Sequence, residues 1–147
     1  MKSPYHVGAA VAAFVFDKQG RTIVQQRIGS HGANTWCPPG GKIDYGETPK
    51  EAIVREVKEE TDLDITDVEF IGFTNDIFEA DQLHYLTLWY AARADGMAKI
   101  TEPNKCIGLE WHSVDSMPKP LFLPTETIVH DRIARKKIEA YMKEHCK

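Results

Sequence analysis

Apolar and polar positions along the chain fall into two periods. Residues 7–16 are an unbroken run of Val, Ala, Phe and Gly, which predicts a strand buried on both faces. Asp17 to Gly20 is turn-like, and residues 21–27 predict a hairpin partner for that strand. Residues 28–41 hold four Gly and two Pro and predict a loop with special backbone demands. Two more strands are expected at 68–78 and 83–94, joined by a short polar link, and a short one at 109–114, after an irregular polar stretch at 95–106. Helical spacing appears at 49–61 and again at 126–143, where Ile128, Ile133, Ile138, Tyr141 and Met142 supply apolar positions. Strands in the majority with two well-separated helices predict an α/β protein, a mixed sheet with helices packed on it.

Length and composition narrow the picture. A chain of 147 residues with no linker or repeat is expected to be a single domain over 1–147. Its 42% hydrophobic and 27% charged residues describe a globular protein, not a disordered one. Acids outnumber bases 22 to 18, a net charge of −4, which argues against coating a nucleic-acid polymer and leaves room for binding one nucleotide. Cys37, Cys106 and Cys146 are far apart and form no CxxC, so zinc ribbons and disulfide scaffolds are not expected and a reducing cytoplasm is. The apolar run at 7–16 is far short of the roughly 20 residues of a membrane helix. Although Lys2 precedes it, Asp17-Lys18-Gln19-Gly20 stands where a signal peptide would carry small residues, so no membrane association is expected.

The chemistry concentrates around the first helix. Thr48 as N-cap, Pro49 in the first helical position and Glu51 three after the cap make a capping box that fixes where the helix starts. At about 100° per residue, Glu56, Glu59 and Glu60 share one face, while Ile53, Val54 and Val57 lie a quarter to a third of a turn away. Like charges at this spacing destabilise an isolated helix, so something must compensate: Arg55 reaching Glu51 or Glu59, or a divalent cation. A solvated acidic face is the simplest reading of such a cluster in isolation. The loop Pro38-Pro39-Gly40-Gly41 just before it offers backbone carbonyls as well. Carboxylates with a carbonyl are hard oxygen donors that suit Mg²⁺ or Mn²⁺ rather than zinc, and Mg²⁺ commonly bridges carboxylates to substrate phosphates. These residues point to metal-assisted chemistry on a phosphate ester or anhydride.

Gly41, Glu47, Arg55, Glu56, Val57, Glu59, Glu60, Asp62 and Leu63 resemble the Nudix box, G-x5-E-x7-R-E-U-x-E-E-x-G-U, over residues 41–63. Six fixed Gly, Glu and Arg positions match, on the order of 10⁻⁷ by chance per starting position for residue types near 7% of composition. Asp62 departs from the pattern, standing where the family has Gly just past the helix end. The strand order around the box also fits the Nudix fold, an α/β/α sandwich with a central mixed β-sheet.

The resemblance implies roles. Glu56, Glu59 and Glu60 would hold the divalent metal, Mg²⁺ or Mn²⁺, joined by the Gly40 carbonyl beside Gly41. Arg55 would orient the carboxylates, and Glu47 would either bind metal or fix the loop. The general base would be Glu56 or, from outside the box, Glu102 in Glu102-Pro103-Asn104-Lys105-Cys106. That short motif resembles one in small Nudix nucleotide pyrophosphatases that often carry a second acid where Asn104 stands. Arg27 precedes residues 29–36 (Gly-Ser-His-Gly-Ala-Asn-Thr-Trp), a stretch similar to the same branch; Arg27 and Lys42 would meet phosphate oxygens and His31 would touch substrate. Trp36, Trp89 and Trp111 can stack on a base, although core packing suits Trp89 and Trp111 better.

The implied activity is hydrolysis of a phosphoanhydride in a nucleoside diphosphate linked to another group, in first place a (d)NTP cut to a monophosphate and pyrophosphate in the MutT-like manner. Nucleotide sugars, ADP-ribose and dinucleoside polyphosphates are the alternatives within the family, and a nucleotide sensor without turnover is the alternative outside catalysis. The expected partner is a small-molecule nucleotide, and exposed strand edges would allow a homodimer.

Overall fold

The computed structural model describes residues 5–29 and 31–147; Lys2, ahead of the apolar run, and Ser30, within the glycine-rich approach, lie outside them. Strand β1 (Val7–Phe16) organises the rest. Successive side chains of a strand point to opposite faces, and here both faces are covered from Val11 onward. Val11, Ala13 and Val15 pack with Ala52, Ile53 and Val57 of helix α1 (Pro49–Thr61). Ala12, Phe14 and Phe16 pack with Ile128 of α2 (Leu123–Val129) and with Ala134, Ile138 and Tyr141 of α3 (Arg132–His145). The result is the α/β/α sandwich expected.

The sheet is mixed. Strand β6 (Leu83–Arg93) runs parallel to β1 along its full length, from Val7 beside His84 to Phe16 beside Arg93. Strand β5 (Thr66–Phe78) pairs antiparallel with β6, its register shifting between Phe70 and Gly72. The other edge of β1 is shared. Strand β2 (Thr22–Arg27) meets it only at Phe16 and Thr22, whereas β4 (Gly40–Lys42) pairs with Ala10, Val11 and Ala12. Past that junction β2 lies between β3 (Trp36–Cys37) and β7 (Cys106–His112). Where β1 changes partner from β2 to β4 the sheet parts, and the site forms there.

Three expectations need correcting. The loop at 28–41 contains two short strands, because Gly40 and Gly41 lie flat against β1: a Cβ on Gly40 would overlap the Val11 carbonyl oxygen, so the glycines serve close approach as well as turning. The strand expected at 109–114 starts earlier, at Cys106, and stops at His112, with Val114–Ser116 forming a 3-10 turn. The helix expected at 126–143 is two helices. Asp131 accepts from the Ala134 N–H at 2.9 Å and begins α3 as an N-cap, since a short acidic side chain competes for backbone donors inside a helix and is favoured at its start. Pro124 lies in the first turn of α2. The break rotates the helical face, and Ile133, expected inside, is 71% exposed.

The cavity-facing positions of β1 change character along the strand. Gly8, Ala10 and Ala12 carry little or no side chain, and Phe14 and Phe16 follow on the same face. A Cβ on Gly8 would lie 2.6 Å from the Tyr85 ring, which crosses β1 at that point. The small half leaves a hollow, and the bulky half fills the core. All three cysteines are free, and no helix among the described residues is long and apolar enough to cross a membrane.

Candidate active site

Helix α1 carries the acidic end of the site, and local chemistry fixes its start. The Thr48 hydroxyl accepts from the Glu51 N–H at 3.1 Å, the Glu51 carboxylate accepts from the Thr48 backbone, and Pro49 leads the first turn. At the other end Asp62 adopts the left-handed conformation (φ 63°) that favours glycine, at a cost of roughly 1 kcal/mol. Lys99 and Lys58 pair with its carboxylate at 3.2 and 3.3 Å and hold it below its usual pKa. The departure from the box pattern is thus accommodated at the surface.

Arg55 is a hub. Its Nε and one terminal nitrogen form a fork on Glu47 at 2.9 and 2.6 Å. The other terminal nitrogen donates to Glu56 at 2.8 Å and Glu59 at 3.2 Å, and the guanidinium also reaches the Lys42 carbonyl at 3.1 Å. Glu47 is held down to about 2 by Arg55 first and by the Asp44 N–H second. Both Glu47 oxygens are therefore engaged in bracing the loop against the helix.

Glu56 and Glu60 converge on the cleft. Glu60 accepts from the Gln25 amide and from the Gly40 N–H at 3.3 Å. Burial pushes Glu60 up to about 8, with the neighbouring Glu56 adding to the rise, and Glu56 is likewise raised by burial. A Cβ on Gly41 would overlap the Glu56 carboxyl, so only glycine there leaves room for it. Glu59 is placed differently: its side chain is 53% exposed, drawn toward Arg55, and is not part of the cleft wall. The three carboxylates do not all come within 4.8 Å of one another. Two partly buried carboxylates of raised pKa with a backbone strand beside them form a hard oxygen donor set that is costly to ionise without a cation, which fits a divalent metal ion.

The cleft has a volume of about 650 Å³. Its acidic end holds Glu56, Glu60, Gly40, Gly41 and Lys42. Glu102 lines it too, paired with Lys105 at 3.0 Å. The opposite end is aromatic. Phe78 and Phe122 stack at 5.5 Å and 17°, and the Arg27 guanidinium lies 4.0 Å above the Phe122 ring. His31 meets both rings edge-on and is held by Asp81 at 2.8 Å. Lys42 sits 5.7 Å over the Tyr85 ring. Trp89 forms part of the floor, its indole tied to Thr74, while Trp36 is buried in the α2–α3 core layer and Trp111 packs beside the α1 layer. Burial pushes the Cys37 thiol up to about 11, which leaves no reactive thiolate there.

The structure thus brings Arg27, His31, Gly40, Gly41, Lys42, Glu56, Glu60 and Glu102 to one cleft, and leaves Glu59 and Arg55 at its edge. Gln25, Phe78, Thr87, Lys105, Phe122 and Thr125 share the cleft without having been expected. For Thr87 alone the sequence held an indirect signal, on another strand: the small residues at 10 and 12 mark a hollow on one face of β1, to which its β6 neighbour is exposed.

A model of the NUDIX domain matches residues 6–133. The 8-oxo-dGTP diphosphatase of Escherichia coli (strain K12) is 35% identical over 100 residues, 65% of this chain and 75% of that one. A second 8-oxo-dGTP diphosphatase, from Proteus vulgaris, is 38% identical over 66 residues, 44% of this chain and 56% of that one, so the likeness spans little more than half of that relative. The crystal structure of a MutT NUDIX hydrolase from Burkholderia pseudomallei superposes with a TM-score of 0.75 at 24% identity, covering 91% of this chain and 97% of that one.

Proposed function

We propose, from the premise that this chain belongs to the NUDIX domain family, that it hydrolyses a phosphoanhydride bond in a nucleotide, in first place a (d)NTP to a monophosphate and pyrophosphate. The observation that carries this reading is the convergence of Glu56 and Glu60, both partly buried and raised in pKa, on a cleft that is also lined by aromatic rings. Such a cleft suits a ligand with a polyanionic tail and a flat ring. The relatives from E. coli and P. vulgaris are 8-oxo-dGTP diphosphatases, which supports the same reaction class.

Glu56 and Glu60 would hold the divalent cation, Mg²⁺ with Mn²⁺ as substitute, together with the Gly40 carbonyl, and Glu59 would join from the rim. When bound, such an ion offsets the charge of the phosphate chain and makes water more acidic. Arg55 keeps Glu56 aimed through its 2.8 Å bond, while its fork on Glu47 anchors the loop. Glu56 is the first candidate to take the proton of the attacking water, since it lines the cleft and is aimed by Arg55. Glu102 is the second candidate base, and its pairing with Lys105 makes it the weaker one. Arg27, Lys42 and Lys105 stabilise charge on the leaving phosphate, and His31 closes over the ring.

The unit is read as a single cytoplasmic domain over residues 1–147 that acts on small nucleotides and needs no membrane or nucleic-acid polymer, with exposed strand edges that would allow a homodimer. The test is a panel of (d)NTPs, ADP-ribose, nucleotide sugars and dinucleoside polyphosphates with Mg²⁺, scored by product identity. Hydrolysis of a triphosphate to monophosphate and pyrophosphate is expected. Nucleotide binding without turnover of any compound would make the protein a sensor.

A further inference from the structure

The floor of the cleft carries a buried hydrogen-bond chain that the proposed hydrolysis does not use. Its directions follow from what each group can do. The Trp89 indole can only donate, and its Nε1–H donates to Thr74 Oγ1 at 3.0 Å. Thr74 has accepted there and donates to Asp76 Oδ2 at 2.9 Å. Thr87 donates to the same Oδ2 at 2.6 Å. Asp76 is 1% exposed, and its Oδ1 has no partner. Burial favours a proton on this carboxyl, and Oδ1 is the oxygen free to carry it, so the direction at Oδ2 is the same in either charge state.

Thr87 lines the cleft, is itself nine-tenths buried, and pairs across the sheet with Ala10, whose methyl is too small to cover it. Its hydrogen points down to Asp76, so it presents only lone pairs to a ligand. Thr125, fully buried and also lining the cleft, has a hydroxyl with no partner among the described residues. A buried hydroxyl without a partner is unfavourable, and a ligand reaching the floor would supply one. Phe78 and Phe122, stacked on each other, also line the cleft and give it an apolar aromatic wall suited to a ring rather than a sugar.

We infer that the cleft selects a nucleobase whose inner edge carries an amino group, read by Thr87 as an acceptor of fixed polarity with Thr125 as a second contact. This rests on the nucleotide reading above and adds a specificity determinant to it. Asp76 is then a positioning residue: it never meets the ligand and sets which way the Thr87 hydroxyl points.

The test compares triphosphates that differ by one amino group: ATP against purine riboside triphosphate, and GTP against ITP. The wild-type protein is expected to prefer the amino-bearing member of at least one pair by about tenfold in kcat/KM, the difference lying in KM. Thr87→Val and the smaller Thr87→Ala are read together, on whichever retains the native circular-dichroism spectrum. Either should bring that ratio to within about twofold of unity, and Thr87→Ser should restore it. Equal use of both members of both pairs by the wild-type protein, or a ratio that survives in Thr87→Val or Thr87→Ala, overturns the inference. Failure to hydrolyse any nucleotide would instead sink the underlying reading.

Discussion

The two ends of the cleft are built in opposite ways. The acidic end comes almost entirely from residues 40–63, one bend and one helix whose start is set by its own capping box. The aromatic end takes Arg27 from β2, His31 from a loop, Phe78 from β5 and Phe122 from the approach to α2, and Thr87 and Trp89 of β6 form the floor between. One end is specified by neighbours in sequence, the other by register across a sheet. Chemistry that must be held at fixed spacing sits where the chain controls spacing locally. Recognition sits where distant segments can vary independently.

That contrast predicts effects of different kind and size. Glu60→Gln removes a buried ionisable oxygen pair and is expected to lower kcat by roughly 10²–10³-fold with the fold intact; near-normal turnover with an unchanged far-UV spectrum would break the assignment. Arg55→Ala leaves Glu47, Glu56 and Glu59 without their common partner. It should cost roughly 10–100-fold in activity or metal affinity, as loss of a residue that orients ligands does, measured by steady-state rates against Mg²⁺ concentration.

The acidic end also sets a pH signature. Folding raises Glu60 from 4.5 to about 8, so over that interval the native state binds more protons than the unfolded chain. Stability of the metal-free protein therefore falls as pH rises from about 5 to about 8. Glu47 acts in the other direction: held down to about 2, it supports the fold above about 4.5 and loses that support toward pH 2. A metal-free melting curve should peak near pH 5, decline by several degrees toward pH 8, and recover there on adding Mg²⁺. Glu60→Gln should flatten the alkaline limb, and a limb that stays steep would show that another group drives it.

The smallest effect belongs to the aromatic end. Phe122→Ala removes a ring stacked on Phe78 and beneath Arg27. It is expected to raise KM roughly 2- to 10-fold with kcat little changed. A loss confined to kcat would mean that the two ends are not separable.

The same contrast explains what could be read from the residues alone. The helix at 49–61 and the strand at 7–16 have the bounds expected, because capping residues and an unbroken apolar run act locally. Glu56, Glu60 and Arg55 were legible for the same reason. Glu59 shares their helical face but not their environment: periodicity gives a direction, whereas the pull of Arg55 decides where the carboxylate rests. Glu47 had two open roles that only the Arg55 fork distinguishes. Phe78, Thr87, Phe122 and Thr125 carry no local mark, since their neighbours come from the pairing of β1 with β6 and from the turn into α2. The split of the last helix at Asp131 has little mark in the sequence because residues 126–143 contain no proline or glycine, and the interruption is a single capping side chain.

Strand β1 joins a bare half, Gly8, Ala10 and Ala12, to a bulky half, Phe14 and Phe16. Guest capacity and heat tolerance are therefore inherited on a single ribbon. Each methylene added near its beginning shortens the berth available to an incoming ring, and each one lost near its end softens the whole sandwich. A two-residue slip of that ribbon would exchange one property for the other.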